Sequence, residues 1–151
     1  MNTRFYDTVF FIALLSTAIA LGGALAHAFE LPNKIGLEQD VYFTVQQIYA
    51  GWDRLGWLLL VEAVSMAALA ALSRAQPTVM WSAVAALAAL AAAQAIFWIF
   101  TFPANAATDN WTAVPDDWEA LRIQWEFSHL AGACCQLVAM VMLIFAALRR
   151  R

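Results

Sequence analysis

Four long apolar segments constrain this chain more than any other feature of its sequence. They cover about residues 5–29, 52–73, 78–102 and 123–148, and shorter polar connections separate them. A helix needs about 20 apolar residues to cross the hydrocarbon core of a bilayer, and each segment meets that length. Because lipid offers no hydrogen-bond partner to the backbone, the segments predict an all-α four-helix transmembrane bundle that forms one domain over residues 1–151.

The composition agrees with a membrane location and argues against nucleic acid as a partner. Hydrophobic residues make up 64% of the chain and charged residues 13%. Soluble domains have about 45–50% apolar and about 25% charged residues. The formal net charge is −3, and no basic stripe occurs outside the C-terminus. We therefore expect the lipid bilayer, and no nucleic acid, to be a partner.

The basic residues predict how the bundle is oriented. Arg4, Arg74 and Arg149–Arg151 fall on one side of a four-span arrangement, while the connections 30–51 and 103–121 are acidic on balance. Positive charge marks the cytoplasmic side of a membrane protein. The sequence thus predicts an up-down-up-down bundle in a bacterial inner membrane, with both termini in the cytoplasm. It is also compatible with a homo-oligomer.

The first apolar segment has a second interpretation. A basic residue, Arg4, followed by an apolar run that closes in small residues is also typical of a secretory signal peptide. The run is longer than the apolar region of such peptides, which favours a retained helix.

Histidine–glutamate pairs stand at the ends of two apolar segments. Arg122, Glu126 and His129 are spaced i, i+4 and i+7, so one helix face carries all three. His27 and Glu30 close the first segment with the same two residue types. Ionisable groups at this depth are costly unless they are paired, hydrated or bound to a ligand. In the predicted topology both pairs lie at similar depth in the non-cytoplasmic leaflet, which indicates a shared site.

This set of side chains predicts a metal site. A Glu-x-x-His pair is the pattern from which carboxylate-bridged di-metal sites are built in helix bundles, and Glu62 on the second span adds another carboxylate. Iron is the first candidate, because open positions on iron suit oxygen chemistry, and zinc and manganese are alternatives. The predicted ligands are His27, Glu30, Glu62, Glu126 and His129.

The roles of these residues depend on which of three hypotheses holds. In an enzyme, an oxidoreductase or oxygenase, Glu62 and Glu126 transfer protons and Arg122 orients Glu126 or holds an anionic group of the substrate. In an electron-transfer module, His27 and His129 are the axial ligands of one haem. In a non-catalytic scaffold or subunit, the polar groups only hold the helices together. The sequence leaves open whether the protein is an enzyme.

The outer connections carry weaker signals. Apolar residues at helical spacing predict a short helix within Leu37–Tyr49 that lies at the membrane interface. Asn105 and Asn110 are expected to shape their loop rather than to bind a ligand. Trp125 flanks the Glu126–His129 pair, and we expect its ring to line a pocket.

Several motifs resemble those of a family of small bacterial integral membrane proteins related to the anthrone-oxygenase-like membrane proteins. They include His27–Lys34, Val45–Tyr49, Gly51-Trp52, Pro103–Asn105, Asn110-Trp111, Trp118, Arg122, Trp125-Glu126 and His129. The resemblance implies four spans with the polar motifs at one end. It also implies use of molecular oxygen on a polycyclic aromatic substrate, which suits the oxidation of a lipophilic small molecule.

Overall fold

The computed structural model describes residues 3–150, and every regular element in that range is helical. Its α-helices are α1 (Thr3–Lys34), α2 (Gln39–Gln46), α3 (Leu55–Leu72), α4 (Pro77–Ile96), α5 (Phe102–Ala107) and α6 (Trp118–Arg149). Four helical runs are long and apolar enough to cross a membrane, as in a multi-pass membrane protein: Thr3–Lys34, Trp52–Leu72, Pro77–Ala107 and Trp118–Arg149. The predicted all-α four-helix bundle is confirmed.

Two of the long helices extend beyond the apolar segments from which they were predicted. Helix α1 continues to Lys34 although Pro32 lies in its last turn. A proline there cannot donate to the carbonyl four residues before it, but the helical pattern continues beyond it, with the Ile35 N–H donating to the Leu31 carbonyl at 3.0 Å. Helix α6 begins at Trp118, about one turn before the predicted span. The extensions place Lys34 and Arg122 on rigid helices rather than in loops.

The four long helices close into a ring in which α1 packs on α3 and α6, and α4 also packs on α3 and α6. At one end the rings of His27 and His129 lie against each other. At the other end Arg150 forms an ion pair with Asp7, with 3.2 Å between guanidinium nitrogen and carboxylate oxygen. The end of α1 thus lies beside the start of α6. The alternation of all four spans and the side of the membrane that holds the termini stay predictions.

The interior of the bundle is packed with small residues alternating with a few large ones. Ala83 and Ala86 of α4 and Ala139 of α6 are completely buried. Small side chains let helices approach closely inside a membrane, where van der Waals packing drives helix association. Phe10 and Met66 fill the wider space between helices. Large apolar side chains such as Phe11, Val64 and Ile99 point outward, as lipid-facing residues do.

The connection after α4 departs from regular α-helix for a local reason. Pro103 lacks an N–H, so the turn before it cannot complete its i→i−4 hydrogen bonds. The chain responds with a π-helical turn over Phe97–Thr101 before α5 begins. Gln124 of α6 donates from its side-chain amide to the Phe100 carbonyl at 2.8 Å. The irregular turn is therefore tied to α6.

The predicted short helix between the first two spans is confirmed as α2, which is followed by 3₁₀ turns at Gln47–Tyr49 and Trp52–Arg54. Together with α5 and the loop to α6, these elements cover one end of the bundle, which we call the polar end. It contains His27 and Lys34 of α1, Trp52, Asn105 of α5, and Trp125 and His129 of α6.

Candidate functional site

Lys34 is the centre of the polar end. Its side chain is only 4% exposed, and its Nζ lies 3.3 Å from Oε1 of Glu126 and 3.6 Å from Oε2 of Glu30. Nζ also donates to the hydroxyl of Tyr49 at 2.6 Å. The ammonium lies over the rings of Tyr49 and Trp125, at 4.6 Å and 4.9 Å from their centroids. One buried cation thus holds together two carboxylates and two aromatic rings from three elements.

Glu126 is buried below α2 and is bound from two sides. Tyr42 of α2 donates its hydroxyl to Oε1 of Glu126 at 2.9 Å, and Lys34 pairs with the same oxygen. Gln46, one turn further along α2, donates to the Tyr42 hydroxyl. Oε2 of Glu126 is buried and has no hydrogen-bond partner within residues 3–150. The carboxyl group therefore keeps one free acceptor.

The two histidines stack on each other. The ring centroids of His27 and His129 are 4.0 Å apart and their planes differ by 24°. Tyr49, Trp52 and Trp125 surround His27, with centroids 4.4 Å, 5.3 Å and 5.2 Å away. Nδ1 of His27 is buried and has no hydrogen-bond partner in the part of the chain that the structure describes. The His27 ring therefore offers a free nitrogen inside an aromatic enclosure.

Trp125 forms the wall between the histidine pair and the Lys34 cluster. Its ring contacts His129 at 4.1 Å between centroids, and its Nε1 donates to Oδ1 of Asn105 at 2.8 Å. The same Asn105 oxygen accepts a hydrogen bond from Nε1 of Trp111 at 3.2 Å. Asp109, Asn110 and Trp111 form a left-handed turn, with φ of 46°, 53° and 65°. The expectations that Trp125 lines the site and that Asn105 shapes its loop agree with these contacts.

Arg122 holds the segment that lies over Glu126 against α6. Its guanidinium donates to the Leu37 carbonyl at 2.7 Å and lies 4.6 Å from the ring centroid of Trp118. It also lies over Tyr42, at 5.4 Å from the ring centroid. These contacts tie the segment before α2 to the start of α6. The residue supports Tyr42, and through it Glu126, without an ion pair between Arg122 and Glu126 in residues 3–150.

The structure brings four of the five predicted ligands together. His27, Glu30, Glu126 and His129 meet around Lys34 and Trp125. Glu62 is bound instead by Gln136, which lies seven residues after His129 and therefore about 10 Å further along α6. No three His, Cys, Asp or Glu side chains of residues 3–150 are grouped as ligands of one metal ion. In this arrangement the ammonium of Lys34 pairs with both carboxylates. Metal binding at the site stays a prediction.

Haem ligation would need a different arrangement of the two histidines. Axial ligands approach the iron from opposite faces, each pointing one ring nitrogen at the metal. In the stack the rings face each other at a centroid distance of 4.0 Å, which leaves no space for a porphyrin between them. Both rings would have to turn and separate before one haem could bind between them.

Sequence reasoning missed Lys34, Tyr42 and Tyr49 as members of the site. A spacing signal existed for one of them, because Lys34 follows His27 by seven residues and Glu30 by four, so all three share a helix face. It was not used because the predicted apolar segment ends at about residue 29, before Lys34. Tyr42 and Tyr49 lie in a connection, and nothing in their spacing shows that the connection folds over α6.

Comparisons of the chain with protein-family models, with curated protein sequences and with solved structures give no match.

The buried phenol of Tyr42 predicts a loss of stability in alkaline solution. Burial, and then the neighbouring Glu126 carboxylate, raise the pKa of Tyr42 above its ordinary value. The unfolded chain ionises near pH 10 whereas the folded chain keeps the phenol neutral, so the stabilisation present below pH 10 is lost as the pH rises further. We expect the free energy of unfolding to fall by up to about 1.4 kcal/mol for the pH unit above 10.

Denaturant titrations at a series of alkaline pH values measure this effect. Tyr42→Phe should flatten the decrease, because it removes the ionising group while keeping the ring contacts with Phe43 and Trp111. An alkaline decrease of the same steepness in Tyr42→Phe would contradict the prediction.

Proposed function

We propose that this protein is a multi-pass oxidoreductase of the bacterial inner membrane that oxidises a lipophilic small molecule at its polar end. The observation that carries the proposal is Nδ1 of His27, which is buried among aromatic rings and has no hydrogen-bond partner within residues 3–150. Buried polar atoms are normally hydrogen-bonded, so this free ring nitrogen indicates a ligand that donates a hydrogen bond. The resemblance to anthrone-oxygenase-like proteins points to the same class of substrate.

A flat aromatic molecule with an acidic hydroxyl suits these surroundings. The rings of Tyr49, Trp52 and Trp125 offer stacking partners around His27. Trp52 is 36% exposed and forms the outer edge of this enclosure, so we place the entry of the ligand at its ring. The ammonium of Lys34, on the other side of Trp125, stabilises negative charge that develops on the bound molecule.

The chemistry then begins with proton transfer. His27, in the tautomer that carries its hydrogen on Nε2, accepts the hydroxyl proton of the substrate at Nδ1. Loss of the proton of a second hydroxyl on the same ring system, and of two electrons, gives the quinone. Molecular oxygen, which dissolves well in membranes, accepts the two electrons and two protons and becomes hydrogen peroxide, so atoms and electrons balance.

Oxygen consumption by the purified protein in lipid nanodiscs tests the proposal. A panel of alkylated hydroquinones, catechols and polycyclic hydroquinones serves as substrates. His27→Leu should lower the rate by about 100-fold or more, the usual contribution of a general base. Ser82→Ala is the control, because Ser82 lies in a groove of about 380 Å³ near the start of α4 and the end of α6, away from the polar end, and should leave the rate unchanged. Oxygen consumption that His27→Leu leaves intact, or none with any member of the panel, would contradict the proposal.

Metal involvement is tested on the same preparation. Iron is the first candidate, and it would bind through His27, His129 and the carboxylates of Glu30 and Glu126 after Lys34 has moved away from them. Elemental analysis with an absorbance spectrum, repeated on His27→Ala and His129→Ala, measures whether a metal or haem is held there. Stoichiometric metal that is lost in both variants would show that this site binds a metal ion.

A further inference from the structure

A second buried polar contact lies inside the bundle, separate from the polar end. Glu62 of α3 is completely buried, and Gln136 of α6 is 3% exposed. The side-chain amide of Gln136 donates to Oε1 of Glu62 at 2.7 Å. Oε2 of Glu62 is buried and has no hydrogen-bond partner among the residues that the structure describes. Helix α1 contributes the completely buried hydroxyl of Thr17, which interacts with the same carboxyl group.

No positive charge compensates Glu62. Within residues 3–150 it forms no ion pair with a lysine, arginine or histidine. Thr17 and Gln136, its neighbours on α1 and α6, do not titrate, and α4 carries no titratable side chain. Ser65, one turn along α3, binds the Glu62 backbone carbonyl rather than the carboxyl group. An unpaired carboxylate at this depth is costly, whereas a carboxylic acid carries no charge.

The two carboxyl oxygens of Glu62 differ in their hydrogen bonds. Oε1 accepts the amide hydrogen of Gln136, so it acts as the carbonyl oxygen of an acid. The Thr17 hydroxyl already donates its hydrogen to the Ala13 carbonyl at 2.8 Å, which leaves the lone pairs of its oxygen as acceptors. Thr17 therefore has no hydrogen left to donate to Glu62, and Oε2, which accepts no hydrogen bond within residues 3–150, is the oxygen that can carry the proton. The neighbours match the protonated acid better than the carboxylate.

We propose that Glu62 is an intramembrane proton-binding site, which takes up and releases one proton at Oε2 between α1, α3 and α6. Gln136 and Thr17 are its positioning residues. Binding converts the carboxylate and one proton into the neutral acid, with no other reactant. The site stands apart from the polar end, and it does not depend on the oxidation proposed there.

A hydrophobic carbodiimide tests the proposal, because it partitions into the membrane and reacts with protonated carboxyl groups. The acid O–H adds across one C=N bond, and transfer of the acyl group to nitrogen gives a stable N-acylurea that retains every atom of the reagent. Mass spectrometry of peptides from the protein in nanodiscs then locates the label. We expect it on Glu62, with loss of labelling at high pH and in Glu62→Gln.

Asp7→Asn is the matched control, because the Asp7 side chain is 54% exposed and pairs with Arg150 at the end of the bundle opposite the polar end. It should leave the labelling of Glu62 unchanged. Folded protein without a label on Glu62 would overturn the proposal. So would protection by sodium ions at constant pH, which would indicate a metal-cation site instead. If Glu62→Gln does not fold, the peptide map of the unsubstituted protein decides, because it reads the labelled position directly.

Discussion

Lys34→Met should destabilise the protein by about 3–5 kcal/mol, the usual cost of leaving one member of a buried ion pair without its partner. Methionine has nearly the same length as lysine and fills the space between Tyr49 and Trp125, so packing is largely kept. What is lost is the positive charge 3.3 Å from Glu126, a carboxylate with 0% side-chain exposure. Unfolding in mixed micelles, followed by tryptophan fluorescence, measures the difference in free energy.

A double variant separates the charge effect from any packing effect. In Lys34→Met combined with Glu126→Gln the stranded carboxylate is gone, so the double variant should recover much of the stability lost in Lys34→Met. Arg54→Met, an exposed basic residue at the same end of the bundle, is the matched control and should leave the stability unchanged. A double variant no more stable than Lys34→Met alone would show that the ion pair is not the reason for the loss.

Trp125→Ala should have a comparable effect, about 3–5 kcal/mol, because it empties the centre of the polar end. The indole is 3% exposed, and it packs on both histidines and on Tyr49. Its removal also leaves Asn105 with one donor in place of two. The same unfolding titration measures the loss. We also expect the histidine rings to separate, which the line widths of their NMR signals would report.

Two further tryptophan variants control for ring size and position. Trp125→Phe keeps most of the apolar contact and loses the hydrogen bond to Asn105, so its cost should be about 1 kcal/mol. Trp98→Ala removes an indole that is 59% exposed on the outside of the bundle and should cost much less than Trp125→Ala. Equal losses in Trp98→Ala and Trp125→Ala would contradict a specific role for Trp125.

The site could be predicted only where its residues lie on long helices. His27, Glu126 and His129 were identified because regular spacing on apolar helices fixes both the face and the depth of a side chain. The same reasoning placed Glu62 in the shared site, but Glu62 faces Gln136 instead. Spacing gives depth along a helix to within about a turn, whereas the neighbour that a side chain meets depends on how the helices rotate against each other.

Apolar length and composition by themselves determined the helical bundle, because a backbone surrounded by lipid must satisfy its hydrogen bonds within each helix. Only the tertiary structure decided the character of the polar end. It brought Tyr42 and Tyr49, from a connection between two spans, onto Glu126 and Glu30, and it buried Lys34 among them. Such contacts join residues as far apart as positions 42 and 126. Their formation depends on how a loop folds over the bundle, which periodicity within a single helix does not encode.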